Sequence, residues 1–215
     1  VEADIEVNTI YFDEAHNSVQ RNFFPATEFF SSDSDRCYFF TATPKHSLSI
    51  FKPGMNDPEV YGQVICNVPA PQLVKEGYIL PPKVVVHQLP QGDFKLSDDK
   101  NLLDTIDANS LNKILIAARS TKQILRMVSQ SDFCQQLHER GYNWMYITSK
   151  TGAIINGKKV SREEFFKTLN AWGQDSTRFV VMHHSILSEG INVKGLEAVL
   201  FMRNMNYIGI SQSIG

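Results

Sequence analysis

A chain of 215 residues, 42% hydrophobic and 20% charged with a formal net charge of −2, has the balance of an ordinary globular protein with one or two compact cores. It is too neutral for a polyanion-coating protein or a basic arm, though local side chains and backbone N–H groups still suffice to grip phosphates. Cys37, Cys66 and Cys134 are widely spaced and lack a C-x-x-C pair, which points to a reducing compartment (cytoplasmic or DNA-associated rather than secreted) and away from zinc.

The first element, "NTIYFDEAH", reads as a buried strand that runs into two acids. The preceding residues, "VEADIEV", carry no basic n-region or cleavage site, so they read as a cut end rather than a signal peptide. "RCYFFTATP" is a second strand, stopped by Pro44. Residues 44–82 are richer in Pro and Gly, and Pro81-Pro82 forms a stiff joint that divides a first domain, 1–82, from a second, 83–215. "KVVVHQL" restarts a strand, residues 98–110 are helical, and "NKILIAARS" is another buried strand. "STKQILRMVSQSDFCQQLHERG" has apolar residues at near-helical spacing and stops at Gly141. "YNWMYITS" is a strand, and "SREEFFKTLNAWG" opens with a Ser161–Glu164 capping box and closes at Gly173. "TRFVVMHHS" and "LEAVLFMR" are the last strands. The alternation favours an α/β fold with a mostly parallel sheet, and no apolar run approaches the roughly 20 residues that cross a bilayer, so no membrane partner is expected.

Asp13 and Glu14 stand at the end of a strand, where α/β proteins place ligands. Adjacent residues of an extended chain face opposite ways, so a turn must follow if both serve one site. Asp13 suits Mg²⁺ held through water, and Glu14 suits a base for the water that attacks a phosphate. Thr41 and Thr43 follow in "TATP", with small hydroxyls able to link the acids to a moving part. A phosphate-cradling loop should accompany such acids. "GAIINGKK" (152–159) satisfies G-x-x-x-x-G-K but ends in Lys159, not Ser or Thr. Its β-branched isoleucines and its Asn156-Gly157 step read better as a tight turn between extended pieces. His183 and His184 are successive strand residues and so are not expected to chelate one metal.

"DEAH" followed by "TATP" resembles motifs II and III of the superfamily 2 helicases and translocases. "ILIAARS" (114–120) resembles motif IV, "LSEGINVKGLEAVLFMR" (187–203) motif V, and "SQSIG" (211–215) the opening of motif VI. The resemblance implies two RecA-like parallel-sheet domains, the first truncated at its N-terminus, clamping ATP and Mg²⁺ between them. Asp13 would hold the magnesium, Glu14 would be the catalytic base, and His16 would join the nucleotide site to Gln212. Taken singly, His16 would be a surface histidine. Thr41 and Thr43 would relay hydrolysis to movement. Gly190, Asn192 and Gly215 would lie at the nucleotide, and Arg119, Ser120 and His184 at the nucleic-acid backbone. Two positions depart from the pattern: Asn192 replaces the usual Asp, and His184 replaces a threonine. "YGQVICNVPAPQLVKEGYILPP" (61–82) is similar to the link in the DNA-translocase branch, so DNA is favoured over RNA. The absence of a phosphate loop and of the motif VI arginines implies that these residues alone are inactive. A non-catalytic interaction module that kept the motor fold is the alternative. Residues 83 onward are expected to be the better ordered half, and the apolar strands of residues 1–82 to be loosely packed or to pair with a neighbouring chain.

Overall fold

The computed structural model of the chain describes residues 7–49, 51–81, 83–85, 94–184 (backbone only for 94–97) and 193–203. It divides the chain into two compact units, Val1–Val84 and Val85–Gly215.

In the first unit the two aromatic runs pair as parallel strands, β1 (Thr9–Phe12) and β2 (Arg36–Phe39), in register from Thr9 opposite Arg36 to Phe12 opposite Phe39. Parallel neighbours need a crossover. Here it contains α1 (Phe24–Asp33), which begins with a proline in its first turn and contacts β2. One sheet face is partly covered: Phe12 stacks on Phe39 at 4.8 Å, and Tyr61, at the end of the short α2 (Pro58–Tyr61), lies 4.8 Å from Phe39, all three rings being half-buried. On the other face Tyr11 stacks on Tyr38 at 5.4 Å beside Phe40, and Tyr11 and Phe40 remain 67% and 54% exposed. The expectation of a buried first strand is therefore corrected. An apolar run becomes a buried strand only where a layer covers each face, and these rings remain open to solvent. A further short helix, α3 (Ala70–Lys75), follows in the Pro-rich stretch.

In the second unit α4 (Phe94–Ala108) leads into β3 (Lys113–Ala117). Lys83–Val85 are not a strand, and the rest of "KVVVHQL" lies outside the described residues. The long helix expected after β3 is two helices, α5 (Thr121–Ser129) and α6 (Phe133–Glu139). The break has a local cause: Ser131 Oγ donates to Met127 O at 2.9 Å and accepts the Phe133 N–H at 3.2 Å, competing with the helical ladder. Next come β4 (Asn143–Thr148), the hairpin β5 (Gly152–Ile155) and β6 (Lys158–Val160), and α7 (Arg162–Gln174). Ser161 caps α7 by accepting the Glu164 N–H at 3.0 Å. β7 (Phe179–His183) and β8 (Ala198–Phe201) complete a sheet that, among the described residues, has six strands in the order β6-β5-β4-β7-β3-β8. β4, β7, β3 and β8 run parallel, and the hairpin adds the antiparallel edge.

Strand alternation divides the core between the two faces. Ile114, Ile116, Val180 and Met182 pack under α4, α5 and α6 against Ile106, Ile124 and Phe133. Leu115, Phe179 and Val181 meet Phe165 and Leu169 of α7 on the other side. Both faces of β7 are covered, which is why its sequence is apolar throughout. Among the described residues no helix is long and apolar enough to cross a membrane.

Gly173, near the end of α7, sits against the backbone before β8: a Cβ there would stand 2.2 Å from Lys194 O. Lys113 Nζ anchors the same corner by donating to Gly173 O at 2.9 Å. Gly173→Ala is expected to destabilise the second unit by about 1–3 kcal/mol, because backbone rather than a flexible side chain must move. A urea titration of the chain beside its variant measures this, and an unchanged midpoint would contradict the packing.

Candidate functional site

The carboxyl ends of β1 and β2 carry the acids and the threonines. β1 ends at Phe12, and Glu14 adopts a left-handed backbone, φ 47° and ψ 44°. That conformation costs a residue with a side chain about 1–2 kcal/mol. It ends the strand's alternation, which is the turn that two adjacent acids require. Asp13 Oδ1 accepts the Glu14 N–H at 2.8 Å, and the Ala15 N–H donates to Phe40 O at 2.9 Å, holding the turn onto β2.

His16 is 2% exposed and so is not a surface residue. Its Nδ1 lies 3.1 Å from Thr41 Oγ1, 3.5 Å from Thr43 Oγ1 and 3.3 Å from Glu14 Oε2. Thr41 Oγ1 also accepts the Thr43 N–H at 3.1 Å, which folds the "TAT" segment around the imidazole. A protonated Nδ1 donates to the carboxylate or to a hydroxyl oxygen, whereas a bare Nδ1 accepts from a threonine hydroxyl. One ring atom thus faces Glu14 and both threonines. Sequence reasoning missed what supports this turn from behind. Ser18 Oγ donates to Ala15 O at 2.6 Å and lies 2.9 Å from the Tyr61 hydroxyl, whose pKa burial pushes up. No local pattern joins Ser18 to a tyrosine 43 positions away.

Asp13 and Glu14 are both exposed. Their oxygens are hard donors of the kind Mg²⁺ prefers, and Asp13 keeps one oxygen beyond its bond to the backbone. Among the described residues no three His, Cys, Asp or Glu side chains form a metal-binding group. A magnesium here fits as an ion that keeps several waters.

In the second unit, Arg119, Ser120 and His184 follow the carboxyl ends of neighbouring strands. The Ala118 N–H donates to His183 O at 2.8 Å, and His184 Nδ1 lies 3.2 Å from Ala118 O. Ser120 caps α5, its Oγ accepting the Gln123 N–H at 3.2 Å. Gln123, also missed from sequence, is buried, and its Oε1 takes the Arg119 N–H at 2.7 Å. Arg203 follows β8 at the same end of the sheet. His183 is 2% exposed, and burial first, then Arg203 and His184, push its pKa down to about 4.

"GAIINGKK" is the β5–β6 hairpin. Asn156 and Gly157 take φ 46° and 82°, the left-handed pair of a tight hairpin turn, and Ile154 pairs antiparallel with Lys159. Alternating strand N–H groups do not converge on one phosphate. Gly190, Asn192, Gln212 and Gly215 lie outside the described residues.

No family model and no curated protein matches the sequence. Among solved structures, the chain is similar to an ATP-dependent Type ISP restriction-modification enzyme, LlaBIII, bound to DNA, with a TM-score of 0.69 and 17% identity over 99% of this chain. The chain spans 17% of that enzyme's length. At this identity the likeness is one of fold, and it agrees with an α/β architecture whose larger, mostly parallel sheet is RecA-like.

Proposed function

We propose that these residues form part of an ATP-driven motor that translocates along or unwinds nucleic acid, DNA in preference to RNA. The observation that carries the reading is His16, buried between Glu14 and the two threonines at the ends of adjacent parallel strands. A surface acid pair has no need of such a tie. The fold shared with an ATP-dependent enzyme bound to DNA supports the same class.

In this reading Glu14 orients the attacking water and takes its proton, and His16 keeps the carboxylate in place. Asp13 holds Mg²⁺ through water, and the ion, when bound, offsets charge on the phosphates. Thr41 and Thr43 sense the state of that site through His16 and pass it to the chain that follows. Gly190, Asn192, Gln212 and Gly215 complete the nucleotide site as the motif resemblance implies. Arg119, Ser120 and His184 contact the nucleic-acid backbone. The segment stands within a longer motor that supplies the phosphate loop and the motif VI arginines. Such an arginine is worth roughly 10³–10⁵ in rate in other NTPases.

The test compares ATP hydrolysis by the 215-residue chain and by a longer protein that contains it, with and without DNA or RNA. Turnover stimulated by DNA is expected only from the longer protein. Motor-like turnover by the 215 residues alone overturns the partial-motor reading. If the longer protein has no ATPase activity under any condition, the chain is instead a binding module on a motor fold.

A further inference from the structure

We infer that the groove along α5 is a track for a nucleic-acid strand, in which Lys122 and Arg126 bind phosphates beyond Arg119 and Ser120. This rests on the motor reading above and extends its nucleic-acid contacts to residues that no motif marks.

A row of basic residues on a helix is usually a solvated face, but here the row borders a cavity of about 310 Å³. Arg119, Lys122 and Arg126 line it, with Asp98 as the opposing carboxylate, so two positive charges are left in excess. Asp98 is already engaged: its Oδ2 accepts from Gln123 Nε2 at 3.0 Å and lies 3.4 Å from Arg126. Its side chain is 12% exposed, so it anchors the groove wall more than it repels a ligand. Gln123 spends its other amide end on the Arg119 backbone, which fixes the start of the groove to its wall. Arg119 and Lys122 are exposed and project from a framework that is itself buried and hydrogen-bonded.

The shape selects the ligand. The lining runs along α5 from Ser120 to Ser129, about 13 Å at the helical rise per residue, which is longer than a single phosphate. A linear polyanion spans that length and a free anion does not. The lining residues include no aromatic ring for a base to stack on, so contact with phosphates and little sequence preference is expected.

The test is equilibrium binding of a fluorescently labelled oligodeoxythymidine to the 215-residue chain across a salt series. Each phosphate contact contributes about 0.7 to the slope of log affinity against log salt for a single strand. Lys122→Ala is expected to lower the slope by about 0.7, and the Lys122→Ala/Arg126→Ala pair by about 1.4. Lys122→Arg should keep it. Lys122 is exposed and has no packing role, so its single variant reads the contact even if loss of the Arg126–Asp98 pair loosens the fold. An unchanged slope in both alanine variants overturns the track and leaves the motor reading standing. A wild-type chain that binds no oligonucleotide at any salt also overturns the track, whereas the motor reading falls only by the hydrolysis test on the longer protein. Displacement of the oligonucleotide by inorganic phosphate at matched ionic strength overturns the strand in favour of a single-anion pocket.

Discussion

On the proposed reading, replacing Glu14 by Gln is expected to lower ATP turnover of a longer protein that contains this chain by roughly 10²–10⁴-fold, while nucleotide and DNA binding persist. The argument is one of charge at constant shape. Gln keeps an oxygen for His16 Nδ1, which lies 3.3 Å from the native carboxylate, but that amide cannot accept a proton from water. Glu14 is exposed, so the change removes no core packing, and thermal stability should stay level. Steady-state hydrolysis alongside equilibrium binding reads the split. Undiminished turnover would remove Glu14 as the base and with it the chemical half of the proposed function. Glu14→Gly supplies a control on the backbone. It removes the same carboxylate but relieves the left-handed conformation, so it should match Gln in lost activity while stabilising the turn by about 1 kcal/mol.

The second unit should lose up to about 3 kcal/mol of stability as pH falls from about 6.5 to about 4, because of His183. Unfolded, the histidine takes its proton near 6.5; folded, burial and its positive neighbours delay protonation to about 4. Above the higher value neither state is protonated and the contribution is complete. Between the two the unfolded chain binds the extra proton, so stability falls with pH. Below the lower value the loss is finished. Carboxylates titrate in part of the same window, and His183→Asn isolates the effect. Urea titrations at several pH values should show a shallower pH dependence in the variant. Parallel slopes would mean that His183 protonates without opening the sheet end.

Much of the candidate site is legible from local pattern. A run of aromatic and branched residues ending in Asp13-Glu14, and a second ending in Thr41, identify two strands and what stands at their ends. Asn156-Gly157 identifies a hairpin turn, and Ser161 before an amphipathic run identifies a capped helix. Each of these rests on sterics and hydrogen bonds among residues a few positions apart. Misreadings arose where a local signal competes with another or depends on a covering layer. Ser131 split a periodic helix by satisfying backbone groups itself, and the aromatic β1 and β2 kept one face open.

The sequence by itself determined the strands that carry the candidate residues, the strand-end position of the acids, the absence of a phosphate loop from "GAIINGKK", and the resemblance to motor motifs. Only the tertiary structure decided that His16 is buried against Thr41 and Thr43, that Tyr61 holds the acid turn through Ser18, and that Gln123 ties Arg119 to Asp98. The physical reason is the range of the interactions. Backbone preference and capping act within a turn or two of chain, whereas these contacts join positions up to 43 apart. Such partners are chosen only when strand order and helix packing bring their faces together.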